Sequence, residues 1–313
     1  MPRVIALVAL ALIAGLAVLY LGGADRVVQV WALDGQRAAQ TAMARGLRAL
    51  RAGEPAALAG FLAVCFAYGF FHAVGPGHGK LLIGGYGAAR AVGAAKLSAV
   101  ALASSLAQGA TAVALVGAGL WLWHLGRAEM TVLADRLLAP LSFGAIALVG
   151  LWLALRGVRA LIRAGQAAPA PARVQPQDHA HTRAHDHPMG AACATCGHAH
   201  APDAEALAQA TGWRDIAVLV GAVAIRPCTG ALFVLILTAQ MGIFVLGIAG
   251  TLAMALGTAS VTVAVALAAV TLRKGALAGL AGSPALARVQ PLLEIGIGTL
   301  VAVLAIGLLR ASL

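Results

Sequence analysis

Charge is what this chain has least of. Only 11 aspartates and glutamates occur among 313 residues, and charged residues of both signs amount to 11%. Soluble domains carry about a quarter, so an ordinary soluble fold is excluded. Residues 4–24, 97–123, 137–155 and 227–272 contain no charged side chain at all. Four cysteines are too few for a disulfide scaffold in a chain of this length. No glycine-rich phosphate-binding loop with its lysine is present, which removes nucleotide hydrolysis as a source of work.

What fills the space is apolar: 61% of the residues are hydrophobic. A transmembrane helix takes about 20 such residues. Residues 227–272 must therefore hold two spans, turning near Gln240-Met241-Gly242. About seven transmembrane helices are predicted, near 4–22, 56–89, 96–123, 137–160, 214–238, 243–271 and 290–310. The fold class is an all-α polytopic membrane protein whose solvent is the lipid bilayer.

The net charge of +11 does not indicate a nucleic-acid partner, because the cations are scattered around span ends instead of gathered on one face. They report topology instead. Lys80, Arg90, Lys96, Arg156, Arg159, Arg163, Arg214, Arg273, Lys274 and Arg288 fall on one side, with Arg3, and the positive-inside rule makes that side cytoplasmic. The N-terminus is then inside and the C-terminus outside. Residues 1–24 read as a membrane anchor with signal-peptide character. Residues 25–54 read as an extracytoplasmic segment, in which 38–51 form an amphipathic helix with Ala39, Met43, Leu47 and Leu50 on one stripe. Trp121, Trp123 and Trp152 are read as interfacial anchors.

The rest divides into two three-helix halves, 55–163 and 213–313, around a polar loop at 164–212. The first helix of each half is interrupted by proline. One break is Gly75-Pro76-Gly77-His78-Gly79-Lys80 and the other Arg226-Pro227-Cys228-Thr229-Gly230. Proline removes a helix donor, and glycine lets the backbone unwind. Paired breaks at matching positions are a mark of transporters built from inverted repeats, with the substrate bound between them. An odd number of spans per half makes the repeats inverted.

His72 and His78 lie six residues apart, about 240° around a continuous helix. Opening the helix at Gly75-Pro76-Gly77 lets them converge. Neutral imidazole suits nickel, cobalt, zinc and copper. Cys228, with Thr229 assisting, is the candidate ligand from the second break, and a buried hydrophobic role is the alternative for it. Lys80, Arg226 and Glu294 are intramembrane charges, and hydrocarbon tolerates such groups mainly at functional sites. Glu294 is a candidate partner for Arg226 and a candidate proton carrier; Gln108 reads as a helix–helix hydrogen bond. In the loop, His179, His181, His185 and His187 precede Cys193, Cys196, His198 and His200. That places six of the nine histidines in 22 residues, beside the one CxxC. Imidazole and thiol at such density point to transition-metal binding.

The run Phe66-Ala67-Tyr68-Gly69 leading into His72-Ala73-Val74-Gly75-Pro76-Gly77-His78-Gly79-Lys80 resembles the signature of the NicO nickel/cobalt efflux family. Arg226-Pro227-Cys228-Thr229-Gly230-Ala231 is similar to that family's second motif, and a His-rich loop between the halves is typical of it. The resemblance implies a multi-pass protein of the bacterial inner membrane that exports Ni²⁺ and Co²⁺. The ions would be substrates, with no prosthetic group and no enzymatic reaction. Related uptake permeases carry an aspartate where Gly77 stands here, and loss of that carboxylate suits export. Two other readings stand beside it: a nickel/cobalt uptake permease, and a membrane thiol–disulfide carrier using Cys65 and Cys228. The sequence specifies no oligomeric state. Replacing His78 by Ala is expected to abolish metal tolerance in expressing cells while folded protein persists; unchanged tolerance would remove His78 from the mechanism.

Overall fold

The computed structural model describes residues 23–75, 78–166, 212–278 and 286–313. Among them all regular structure is helical. Helix α1 spans Ala24–Arg51, α2 Ala57–Val74, α3 His78–Ala89, α4 Ala94–Trp121, α5 Arg127–Leu133 and α6 Ala139–Gln166. In the second half come α7 (Trp213–Ala224), α8 (Thr229–Gln240), α9 (Phe244–Ala278) and α10 (Leu286–Ser312). Five of these stretches are long and apolar enough to span a bilayer. The pair α7 and α8, bent by 64°, makes a sixth. The span expected at 4–22 and the anchor of residues 1–24 lie outside the described residues, apart from the start of α1.

Each half opens with a helix cut in two. Helix α2 stops at Val74 and α3 restarts at His78; α7 stops at Ala224 and α8 restarts at Thr229. Gly75 ends α2 with φ −58 and ψ 170, ordinary extended backbone. Here it is Pro76 that forbids the helix, since the residue before a proline is driven out of the helical region. The turn between α8 and α9 falls where expected, and Gly242 takes a left-handed φ of 74 that favours a residue without Cβ.

One expectation changes in extent. The amphipathic helix begins at Ala24, well before residue 38, and lies along α2. Ala39, Met43 and Leu47 are buried there, and Leu50 is partly so. The segment between Trp121 and Ala139 is mostly helical. It holds α5 and a wide π-type turn at Ala134–Leu138 that runs directly into α6.

The apolar core forms two separate clusters. One gathers Phe61, Cys65 and Tyr68 of α2, Ala112 and Val116 of α4, Leu232 and Leu235 of α8, and Met254 of α9. The other gathers Leu82 and Ile83 of α3, Leu97 and Ala101 of α4, Leu219 and Val223 of α7, and Ala266 and Val270 of α9. Helices α4 and α9 pass through both, in opposite directions. Their segments between the clusters are polar, with Ser104, Ser105 and Gln108 on α4 and Thr258 and Thr262 on α9. The breaks lie at this same intermediate level, because α2 and α8 belong to the first cluster and α3 and α7 to the second.

Close packing is made by glycine. Helices α6 and α10 pack along one another through Gly150, Gly157 and Gly298. A Cβ on Gly150 would lie 2.7 Å from the amide nitrogen of Ala302, and one on Gly298 would lie 2.5 Å from that of Ala154. Helices α2 and α9 meet in the same way, with Gly69 against the Met254 backbone and Gly257 against that of Phe66. Apolar burial gives little drive between helices in lipid, so such backbone approach supplies the association. Gly298→Leu is expected to destabilise the protein by about 1–3 kcal/mol in detergent, a typical overpacking penalty. Gly307, which has nothing within 4 Å of its Cβ position, should accept Leu with little change. Equal unfolding temperatures for the two variants would refute the packing account.

Candidate functional site

A polar recess lies between the two core clusters. It has a volume of about 220 Å³ and takes residues from both halves. His72, Gly79 and Lys80 come from the first break, and Arg226, Pro227, Cys228 and Thr229 from the second. Ser104, Ser105 and Gln108 of α4 and Thr258 and Thr262 of α9 complete the polar wall.

Several carbonyls at both breaks accept hydrogen bonds from side chains. Lys80 reaches back across the first break and donates from Nζ to the carbonyls of Val74, at 2.9 Å, and Gly75. The ammonium so stands at the negative end of the α2 dipole. Gln108 donates from Nε2 to the carbonyl of Arg226 at 3.2 Å, doing the same for the second break. Thr258 donates to the carbonyl of Gly69 at 3.2 Å, and Ser142 to that of Ala222 at 2.7 Å. The Arg226 guanidinium lies over the ring of Phe143, 5.1 Å from its centroid. The aromatic face offsets part of what a cation costs in this setting.

His72 and Cys228, one from each half, both line the recess and act on one another electrostatically across it. Cys228 is the N-cap of α8, in extended backbone with no side-chain cap hydrogen bond. The imidazole also stacks on Tyr68, with ring centroids 6.0 Å apart and planes 7° from parallel. Tyr68 accepts a hydrogen bond from Gln36 Nε2 at 3.3 Å and is hydrogen-bonded to Thr229. Gly230 is explained by this contact, because a Cβ there would overlap the Tyr68 ring.

Not every expected residue joins the recess. His78 opens α3, but its side chain, with Pro76 and Gly77, lies outside the described residues. So do His179, His181, His185, His187, Cys193, Cys196, His198 and His200. Among the described residues no three His, Cys, Asp or Glu side chains converge. Glu294, 3% exposed, does not line the recess with Arg226 and is paired with another cation. Its carboxylate lies 3.7 Å from Arg156 Nε, and Arg90 is the other cation acting on it. Trp152 carries the guanidinium groups of Arg90 and Arg156 on its ring, at 5.9 and 5.8 Å, which is more than an interfacial anchor does. Cys65 is buried in the first core cluster and absent from the lining.

Several lining residues were not singled out from the sequence, namely Ser104, Ser105, Thr258 and Thr262. Their signal was the run of hydroxyls at helical spacing inside otherwise apolar spans. In isolation it reads as ordinary helix contacts.

A family model described as a high-affinity nickel-transport protein, NicO, matches residues 58–313. The chain belongs to the NicO family. NicO is a family of transporters, and five or six stretches among the described residues here are long and apolar enough to cross a membrane. A curated relative from Haemophilus influenzae, named "Putative nickel/cobalt efflux system", is 28% identical over 193 residues. That match covers 62% of this NicO chain and 60% of the relative, so the chain spans about three fifths of the relative's length. No solved structure matches it.

Lys80→Met should leave the two terminal carbonyls of α2 without their donor. Losing a charged partner of this kind costs about 1–3 kcal/mol. A lower unfolding temperature in detergent is expected, with Lys80→Arg intermediate; an unshifted Lys80→Met protein would show that the carbonyls are satisfied in another way.

Proposed function

We propose that this NicO protein exports Ni²⁺ and Co²⁺ across the bacterial plasma membrane by alternating access. Residues 55–163 and 213–313 act as inverted repeats around the shared recess. The observation that carries the reading is the pairing of His72 with Cys228 in a cavity lined by both helix breaks. Inversion is supported by the order of the layers. The first half runs from the Phe61 cluster to the Leu82 cluster across its break, and the second half runs the other way. Efflux is supported by the name of the curated relative and by Gly77, which removes a hard anionic ligand.

The ion meets imidazole from His72 and His78 and sulfur from Cys228, with Thr229 assisting. Nitrogen and sulfur donors of this kind suit nickel and cobalt. Few strong donors give a transient site, which a carrier needs. Ser104 lines the recess, is buried and has no hydrogen-bond partner among the described residues, so its hydroxyl is free to meet the ion's hydration shell. When the cation binds, the Cys228 S–H bond breaks, the metal–sulfur bond forms and the proton leaves. On release the proton returns to sulfur. Protonating the imidazoles empties the site, because an imidazolium cannot ligate metal. A proton gradient directed inward then drives the cation outward. The loop at 164–212 collects the ion on the cytoplasmic side, and Lys80 and Arg226 keep the recess electropositive so that a dication does not lodge there.

In proteoliposomes with an imposed pH gradient, His72→Ala and Cys228→Ser should each slow Ni²⁺ transport at least about tenfold, the equivalent of 1.4 kcal/mol. Parental rates in both would remove the pair from the mechanism. Cells expressing the parent should retain less nickel than controls, and greater retention would indicate import.

A further inference from the structure

A second, smaller cavity of about 140 Å³ lies on the other side of Tyr68. Gln40 of α1, Thr131 of α5, and Thr229, Gly230 and Phe233 of α8 line it with the tyrosine. Its polar groups are amide and hydroxyl oxygens, the donors that suit a cation keeping its water shell. Thr229 lines both cavities. Tyr68 lines the smaller one, while its ring stacks on His72 of the larger one. The phenol is 2% exposed and hydrogen-bonded on both sides, to Gln36 of α1 and to Thr229 of α8. Gly230 completes the barrier, since only a residue without Cβ lets α8 close down on the ring.

We propose that the smaller cavity is the next station of the same path, a vestibule for a hydrated divalent cation, and that Tyr68 is the partition between it and the recess. Helix α1 latches the partition. Gln36 and Gln40 lie one turn apart on it, so they share a face. One holds the phenol and the other lines the vestibule. This gives α1 a role beyond packing. It also explains why a helix outside both three-helix halves is seated along α2, with Trp31 edge-on to Phe71 at 5.0 Å and Gly35 against the Phe71 ring. Opening requires the phenol to leave both hydrogen bonds and the ring to swing off His72. Passage is then tied to the very residue that contacts the proposed ligand.

The proposal rests on the recess being the translocation site, but its test needs no metal and can fail independently. Full-length protein carrying Cys65→Ser, Cys193→Ser and Cys196→Ser keeps Cys228 as its single thiol. A membrane-impermeant maleimide is applied to right-side-out and inside-out vesicles. Cys228 should react from one side only. Tyr68→Ala should raise reaction from the second side about tenfold or more, as expected when a partition closed at least nine-tenths of the time is removed, with first-side reaction unchanged. Gln36→Leu, which loses only the latch, should give a smaller rise. If Tyr68→Ala fails to fold, as judged by lost first-side reaction, Gln36→Leu decides. Reaction from both sides in the parent, or no second-side rise in the folded variants, would overturn the partition.

Discussion

Everything in this fold turns on backbone carbonyls that two broken helices leave open at the level where hydrocarbon would otherwise be. No water reaches the bilayer core to take them up, so protein groups must. Lys80 closes the first break, Gln108 the second, and Thr258 and Ser142 hold carbonyls on the flanking helices. These donors are spread over α3, α4, α6 and α9. The breaks are therefore held by the whole bundle, and a polar layer necessarily accompanies them.

That layer separates two apolar clusters, and the separation gives the site its character. Helices α4 and α9 run through both clusters in opposite directions and turn Ser104, Ser105, Gln108, Thr258 and Thr262 to the middle. Ser105 and Thr262 approach to 3.5 Å between their hydroxyl oxygens, joining the two helices within the layer. The alternating access proposed for this cavity would need only small shifts of either cluster, since packed interfaces have discrete alternatives. Glycine contacts at Gly69, Gly150, Gly257 and Gly298 make each cluster a close-packed unit. Glu294 with Arg90 and Arg156 belongs to the packing of α3, α6 and α10 and is no part of the recess.

The sequence made the helical class, the paired breaks and the turn at Gly242 legible. Long uncharged runs and proline leave few options in lipid, which is why these features could be read directly. His72, Lys80, Arg226, Cys228 and Thr229 stood out because charge, imidazole and thiol are conspicuous in such runs. Partners were harder. Glu294 looked like the natural counter-charge to Arg226, but crossing helices bring Arg156 to it, and composition carries no information on crossing. Gln108 was legible as an interhelical donor, though not as the one that satisfies the second break. The extent of α1 was understated because its first half is exposed and apolar, with Val27, Val28, Trp31 and Leu33 hiding the amphipathic period that Ala39, Met43 and Leu47 display. Gly230 read as a hinge; its reason is the Tyr68 ring, a contact 162 residues distant in the chain that no local pattern encodes.

The central claim is that the two halves share one ion through an imidazole from the first break and a sulfur from the second. X-ray absorption on Ni²⁺-loaded protein with Cys193→Ser and Cys196→Ser tests it most directly, because nickel–sulfur and nickel–nitrogen scattering differ. The account predicts a sulfur shell that vanishes when Cys228 is also replaced by Ser, together with weaker imidazole scattering in His72→Ala. A spectrum of nitrogen and oxygen alone, identical with and without the Cys228 thiol, would contradict it.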